Sequence, residues 1–192
     1  ENDEFIPVTA HGVKLLSMGL LINESDPVAV RGPLATRYVQ QFLRNVAWGD
    51  VDFLILDLPP GTGDIQLTIV QTAELDGVVV VTTPQEVALI DARKAIGLFE
   101  RVETPILGII ENMSYFQCPS DGKIYHIFGE GGGEREAARL GVPLLGKIPL
   151  DISTRSGGDE GRPVALEEHG QHPVSAAFRQ VAEQCARVGL DR

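Results

Sequence analysis

The chain contains the stretch Phe53-Leu54-Ile55-Leu56-Asp57-Leu58-Pro59-Pro60-Gly61-Thr62-Gly63-Asp64, in which a continuous apolar run leads into a carboxylate and a turn rich in glycine and proline. The apolar run is too short for a free-standing helix and is typical of a parallel strand that is covered on both faces. We therefore predict a buried strand over residues 53–56. Asp57 follows this strand, at the end where open α/β sheets bind their ligands.

Two interpretations of Asp57 follow from this position. An aspartate at the end of such a strand can hold Mg²⁺, usually through water, while the metal bridges the phosphate oxygens of a nucleotide. Alternatively, Asp57 only caps the turn that follows it. The glycines and prolines of that turn favour the nucleotide role.

The turn is similar to the glycine loop of a Walker A motif, but it lacks the Gly-Lys-Ser/Thr ending because Asp64 follows Gly63. We interpret it instead as a switch loop beside the γ-phosphate, in which Gly61 and Gly63 permit unusual backbone angles and close approach. Asp64 is predicted to cap a helix that begins near Ile65. The predicted catalytic group is Asp57, Gly61, Gly63 and Asp64.

Strand and helix patterns alternate along the rest of the chain. This alternation predicts one α/β domain over residues 1–192, with a mostly parallel sheet and helices on both faces. Strands are predicted at 13–21, 78–81, 106–110 and 144–148. Helices are predicted after Pro33, at 65–73, along the apolar stripe Leu89, Ala92, Ile96 and Phe99, near 134–140 and at the C-terminus. The polar segment from Thr154 to Pro163 is predicted to be a mobile loop.

Three further residues carry candidate chemistry. Asn112 follows the strand predicted at 106–110, where its amide can read a purine base because it both donates and accepts hydrogen bonds. The alternative for Asn112 is an Asx-type turn that holds its own backbone. Cys185 lies on the apolar face of the C-terminal helix and is predicted to be a core thiol. Cys118 is either a metal ligand or a free thiol in a mobile loop.

The composition excludes some classes of function. A net charge of −11 and a pI near 4.7 argue against a broad nucleic-acid surface, since phosphate binding draws mainly on clustered Lys and Arg. The sequence shows no apolar segment long enough to span a membrane and no signal peptide. Its two distant cysteines do not form the disulfide framework of a secreted protein. We expect a cytoplasmic protein that binds neither nucleic acid nor membrane.

Several blocks, taken together and in their order, resemble the Mrp/ApbC family of MinD-like P-loop ATPases. They are Asp57 to Asp64, Thr82-Thr83-Pro84-Gln85-Glu86-Val87-Ala88, Glu111-Asn112-Met113-Ser114, Ile127-Phe128-Gly129 with the glycines at 131–133, and Gly158-Asp159-Glu160-Gly161. The resemblance covers nearly the whole chain. It implies a P-loop NTPase fold of the MinD type and an ATP-dependent carrier or scaffold for iron–sulfur clusters. It also implies a cytoplasmic homodimer that uses ATP and Mg²⁺ and serves apo iron–sulfur proteins.

The resemblance assigns roles to individual residues. It places Arg31 near the nucleotide or the dimer partner, although an ordinary surface arginine at a helix entry remains the alternative. It associates Asn112 with the adenine and implies that the segment around Pro149 closes over the base.

The stretch Gln117-Cys118-Pro119-Ser120-Asp121-Gly122 departs from the family, in which most members carry Cys-Pro-x-Cys. The family motif implies that two thiolates from each subunit hold one cluster across the dimer axis. With Cys118 alone, the remaining iron sites fall to Asp121, to His126, to an external thiol or to nothing. Because a carboxylate suits cluster iron less well than a thiolate, we expect a weaker, more labile or absent cluster.

No Gly-Lys-Ser/Thr segment occurs anywhere in the sequence, so the phosphate cradle and its lysine are missing from it. We therefore expect an N-terminally incomplete chain, the later part of a MinD-like ATPase domain, that by itself is inactive and binds Mg-ATP weakly or not at all. Two other functions stay open: a MinD/ParA-like positioning ATPase and a non-enzymatic scaffold.

Overall fold

The computed structural model describes residues 4–21, 32–59, 61, 63–166 and 172–190. Its residues fall into two compact units, one ending at Glu74 and the other beginning at Leu75. A single domain over residues 1–192 stays a prediction.

The first unit begins with an exposed β-hairpin. Strand β1 (Val8–Ala10) pairs antiparallel with β2 (Val13–Leu15), and every residue of both strands is exposed. The strand predicted over 13–21 is therefore confirmed only at 13–15, and the prediction that it is buried is wrong. The signal that the prediction missed is the connection His11-Gly12, in which both residues have positive φ, as a two-residue hairpin turn requires. A short 3-10 turn at Met18–Leu20 follows the hairpin.

Two helices complete the first unit. Helix α1 (Gly32–Arg44) packs against α2 (Asp64–Thr72), close to the predicted bounds of both helices. The ring of Phe5 meets that of Phe42 edge-on at a centroid distance of 6.0 Å, and the backbone of Phe5 bridges to Val46 just beyond α1. This contact ties the N-terminal segment to the helix.

Residues 53–56 do not form the predicted strand. They have no regular secondary structure, and the side chains of Phe53 and Ile55 are 55% and 87% exposed. A parallel strand is stable only when neighbouring strands bind its backbone and both of its faces are covered. No strand among the described residues pairs with this segment, so its apolar character alone does not make it a strand.

The second unit alternates strands and helices. Its elements are β3 (Val78–Thr82), α3 (Glu86–Arg101), β4 (Ile106–Glu111), β5 (Phe116–Gln117), β6 (Ile124–Tyr125), α4 (Gly132–Leu140), β7 (Leu144–Lys147), α5 (Ile152–Asp159) and α6 (Pro173–Leu190). Strands β3, β4 and β7 form a parallel sheet with β4 in the centre, and β5 and β6 form a separate hairpin. The strands predicted at 78–81, 106–110 and 144–148 are confirmed to within one residue.

Helices cover both faces of the parallel sheet. Ile109 points to one face and Ile110 to the other, as successive residues of a strand must. The first face holds a cluster with α3 and α4, composed of Val80, Ala92, Ile96, Ile109 and Ala137. The second holds a cluster with α6, in which Ile110 and Cys185 pack against Ile148, Val164, Val174 and Val181. The predicted fold class, a parallel sheet between helices, is confirmed.

The loop predicted from Thr154 to Pro163 is wrong over its first half, because α5 occupies Ile152–Asp159. Asp151 is the N-cap of this helix, and its Oδ2 accepts hydrogen bonds from Thr154 N at 2.6 Å and Thr154 Oγ1 at 2.9 Å. Gly157 serves packing rather than flexibility, since a Cβ there would lie 2.6 Å from the carbonyl oxygen of Arg162. The cap therefore outweighs the low helix propensity of the glycines.

Glu136 joins α3 to α4 through a nearly buried carboxylate. Its side chain is 2% exposed, and it accepts hydrogen bonds from Arg93 Nε and Arg139 Nε, each at 2.9 Å. Burial alone would raise the pKa of Glu136, but the hydrogen bonds from Arg139 and Arg93 outweigh it and hold the pKa below its usual value.

We expect Glu136→Gln to lower the free energy of unfolding by about 1–3 kcal/mol at neutral pH, because two guanidinium groups lose their anionic partner. The pKa of Glu136 is lower in the folded than in the unfolded chain, so this stabilisation is present above about pH 4.3 and is lost as the pH falls through the folded-state pKa. Urea unfolding at neutral pH and at about pH 3.5 checks it.

The matched control for Glu136 is Asp91→Asn, which removes an exposed carboxylate paired with Lys94 on α3. The control should change the free energy of unfolding by less than about 0.5 kcal/mol. A difference between the parent and Glu136→Gln that stays constant with pH would contradict the prediction.

Within the described residues, none of the helices is both long enough and apolar enough to cross a membrane.

Candidate nucleotide and metal site

The three parallel strands of the second unit end at one edge, where the polar residues cluster. Asn112 N donates a hydrogen bond of 2.7 Å to Thr82 O at the end of β3, and Ser114 N donates one of 3.0 Å to Ile148 O just after β7. The turn that follows β4 is therefore bound to the neighbouring strand end on each side. This carboxyl edge is the place where open α/β sheets bind ligands.

Asn112 is fixed at this edge with one end of its amide engaged. Its Oδ1 accepts a hydrogen bond of 2.9 Å from Met113 N, so the side chain binds its own backbone, but one residue nearer than in the Asx turn considered from the sequence. Its Nδ2 has no partner among the described residues, and the side chain is partly exposed. The local contact thus orients the amide and leaves its donor group and one lone pair of Oδ1 available to a ligand.

Glu111 is a functional candidate that the sequence analysis passed over. It is the last residue of β4 and is fully buried, with hydrogen bonds from Ser114 Oγ at 2.5 Å and from Gly133 N at 2.6 Å. The sequence did contain a signal for Glu111. It is a carboxylate that ends an otherwise apolar strand, and it stands next to the candidate site residue Asn112.

Pro149 lies next to this edge. It is buried, two residues beyond the end of β7, and the preceding residue, Ile148, donates its N–H to Glu111 O at 2.9 Å. The structure thus brings Asn112 and Pro149 to one end of the sheet.

Cys118 lies in the turn of the hairpin formed by β5 and β6. The turn is closed by hydrogen bonds from Cys118 N to Lys123 O at 2.9 Å and from Gly122 N to Cys118 O at 2.8 Å. Sγ lies 3.0 Å from Ser120 Oγ, and this hydrogen bond, with the backbone N–H groups of Ser120 and Asp121, lowers the pKa of Cys118. A lowered pKa raises the share of the thiolate, which is the form that binds metals.

The other candidate ligands near Cys118 already have partners, and the side chain of Asp121 also forms a hydrogen bond with Cys118 itself. Asp121 accepts a hydrogen bond from Lys123 N at 3.0 Å and pairs with Lys123 Nζ at 3.3 Å, and the bond from this backbone N–H lowers the pKa of Asp121. His126 Nε2 lies 3.6 Å from Glu130 Oε1. Within residues 63–166 and the other described ranges, no three His, Cys, Asp or Glu side chains form a metal-binding group. One copy of this hairpin therefore supplies only part of a cluster site.

Cys185 differs from Cys118 in its surroundings. It is half-buried on α6 against the apolar cluster, and burial raises the pKa of its thiol. This agrees with the predicted structural role.

The predicted catalytic group lies in the first unit. Asp57 is exposed, and Gly61 has a φ of +103°, a conformation that favours glycine. Helix α2 begins at Asp64 with Gly63 as its N-cap, so the prediction that Asp64 caps the helix is corrected by one residue. The extended backbone of Gly63 places it just outside the helix. Arg31 lies outside the described residues.

Gln66 is a second residue that the sequence analysis missed. Its side chain is 3% exposed, and its Nε2 donates a hydrogen bond of 2.7 Å to Pro59 O, which ties the start of the switch loop to α2. The sequence feature that could have identified Gln66 is its position three residues after the N-cap, where Gln and Glu side chains commonly hydrogen-bond to the chain that precedes the helix.

Solved structures define the class of protein. The nucleotide-binding protein from Archaeoglobus fulgidus, solved in complex with ADP, is 37% identical, with a TM-score of 0.70 over 84% of this chain and 63% of that one. The septum site-determining protein MinD from Pyrococcus horikoshii, complexed with Mg-ADP, is 26% identical, with a TM-score of 0.57 over 78% of this chain and 56% of that one. The fold is that of the MinD-like P-loop NTPases.

Sequence comparisons identify the family. The family model described as ParA, NUBPL iron-transfer P-loop NTPase, matches residues 1–186. The iron-sulfur cluster carrier protein of Pyrococcus furiosus is 48% identical over 90% of this chain and 58% of its own length. The iron-sulfur protein required for NADH dehydrogenase, mitochondrial, of Arabidopsis thaliana is 45% identical over 97% of this chain and 59% of its own length.

The chain belongs to the NUBPL iron-transfer P-loop NTPase family, and the family resemblance stated from the sequence is confirmed. It spans less than two thirds of the length of these curated relatives.

Proposed function

We propose that this protein binds an iron–sulfur cluster at Cys118 and passes it to apo iron–sulfur proteins, in a cycle governed by ATP. The observation that carries the proposal is the Cys118 turn, where a hairpin presents a thiol whose pKa is lowered by Ser120. The names of the relatives from Pyrococcus and Arabidopsis support an iron–sulfur role.

The cluster is the cargo, and two copies of the chain hold it. One hairpin contributes one thiolate, so a homodimer brings two thiolates to the cluster. Asp121 stands where the family motif has its second cysteine, and its carboxylate is already paired with Lys123. The incomplete thiolate set makes the cluster labile, which suits a protein that gives its cluster away.

The nucleotide part of the proposal assigns the adenine to Asn112, whose Nδ2 is available at the sheet edge, with Pro149 at the same end of the sheet. The exposed carboxylate of Asp57 fits a water-bridged Mg²⁺, which would neutralise phosphate charge when bound. Gly61, Gly63 and Asp64 form the switch loop, and Gln66 anchors that loop through Pro59. The nucleotide state then changes the dimer surface that carries Cys118.

Anaerobic reconstitution of the protein as the cell makes it, with ferrous iron and sulfide, tests the proposal. We expect iron and acid-labile sulfide in equal amounts, about one cluster per two chains, and passage of the cluster to an apo ferredoxin. Addition of ATP with Mg²⁺ should change the rate of that transfer, whereas ADP should not reproduce the change. A protein that retains no iron or sulfide after desalting would contradict the carrier function.

A further inference from the structure

Glu111 is a buried carboxylate that forms no close ion pair with any described residue, although Lys147, its register partner on β7, interacts with it electrostatically. Its side chain is 0% exposed, and no Lys or Arg of the described ranges lies within ion-pair distance of it. An isolated buried charge is costly unless hydrogen bonds compensate it. Two donors do so here, Ser114 Oγ at 2.5 Å and Gly133 N at 2.6 Å.

The second donor belongs to the first turn of α4. The N-cap of this helix is Gly131, which has no side chain to cap the free N–H groups, and Glu111 takes over that role from the neighbouring strand. Its negative charge also lies at the positive end of the helix dipole. In the glycine-rich segment at 131–133, the N–H of Gly133 is therefore occupied by a carboxylate of the chain itself. This segment is not a phosphate-binding loop.

The first donor belongs to the turn that carries Asn112. Glu111 and Ser114 span this turn from either side, and Met113 between them has a φ of +52°, which is unusual for a residue with a side chain. A strained turn persists only when its surroundings hold it in place. The carboxylate of Glu111 thus fixes both ends of the turn and anchors it to α4.

We propose that Glu111 is the positioning residue that sets base selectivity, by holding the Asn112 amide in the orientation that accepts adenine and rejects guanine. This inference rests on the adenine role proposed for Asn112. The edge of adenine presents an acceptor next to an amino donor. These pair with Asn112 Nδ2 and with the second lone pair of Asn112 Oδ1, the first being used by Met113 N. Guanine presents two acceptors on that edge, so a fixed amide meets it with one mismatched group.

The test compares the affinities of ADP and GDP for the protein as the cell makes it, by titration calorimetry. The variants are Glu111→Gln, which keeps the shape and removes the charge, and Ser114→Ala, which removes one donor. Asp91→Asn on α3 is the control, because it also removes one carboxylate but from an exposed position. The parent should prefer ADP, and Glu111→Gln should reduce the ADP-to-GDP affinity ratio about tenfold. Ser114→Ala should change the ratio in the same direction, and Asp91→Asn should leave it unchanged.

The affinity ratio separates positioning from a merely structural role. If Glu111 only supported the fold, its loss would lower the thermal stability and weaken both nucleotides equally, and an unchanged ratio in both variants overturns the inference. If Glu111→Gln fails to fold, the ADP-to-GDP affinity ratio of Ser114→Ala tests the inference by itself. A parent that binds neither nucleotide, or both equally, overturns the adenine role of Asn112 together with the inference. A selective parent with unchanged variants overturns the inference alone.

Discussion

Replacing Cys118 with serine is expected to abolish cluster binding after anaerobic reconstitution, with iron and acid-labile sulfide falling to the background of an unreconstituted sample. Serine keeps the size of the side chain, but its hydroxyl does not ionise near neutral pH and is a poor ligand for cluster iron. The effect should be complete rather than partial. In the proposed dimer one substitution removes both thiolates, and within residues 63–166 no other cysteine is present to replace them.

Cys185→Ser is the matched control for Cys118. Cys185 is the other cysteine of the chain, but it is half-buried on α6 and burial raises the pKa of its thiol. This variant should retain the cluster content of the parent and lose only some stability from the packing of α6. Loss of the cluster in Cys185→Ser but not in Cys118→Ser would overturn the assignment of the site.

Asp121→Cys tests the same site by adding a thiolate ligand instead of removing one. It restores the second thiolate of the family motif in a turn whose backbone the hairpin already fixes. Four thiolates from a dimer should then bind the cluster more tightly and slow its transfer. A variant that binds no more cluster than the parent would show that the turn does not bring this position to the metal.

The sequence predicted the second unit well because its elements are long, periodic and supported by one another. Strand β4 is apolar up to its last residue, Glu111, and has a strand on each side. Helix α3 has an unbroken apolar stripe, so local pattern and tertiary environment agree. The prediction over 53–56 failed for the opposite reason. The apolar run there is equally strong, but no strand of the described residues pairs with it.

The candidate site residues named from the sequence are those whose residue type indicates a particular chemistry. Asn112, Cys118 and Asp57 were visible because an amide at a strand end, a cysteine in a turn and an aspartate after an apolar run are recognisable patterns. Glu111 and Gln66 act on segments that are close in space, through bonds to Gly133 N and Pro59 O. Glutamate and glutamine are ordinary surface residues, and only the three-dimensional contacts show that these two are buried.

The glycines at 131–133 show the same limit, because glycine permits both flexible turns and close packing and the sequence does not distinguish the two. Gly132 and Gly133 are buried in the structure. A Cβ on Gly132 would lie 2.7 Å from Pro84 O and 2.9 Å from Leu89 Cδ1, so this position permits the helix to approach the end of β3. The two glycines therefore serve close packing.

Gly132→Ala is accordingly expected to destabilise the protein by about 1–3 kcal/mol, because the added methyl group must displace the backbone of Pro84 rather than a flexible side chain. Gly97→Ala in the middle of α3 should have the opposite sign. A Cβ at Gly97 meets nothing within 4 Å, and alanine in a helix interior is favoured over glycine by about 0.5–1 kcal/mol. Urea unfolding of the parent and both variants measures the two effects under one condition. Equal stability of Gly132→Ala and the parent would mean that α4 does not lie against Pro84, and the contact between Glu111 and Gly133 would then lose its structural basis.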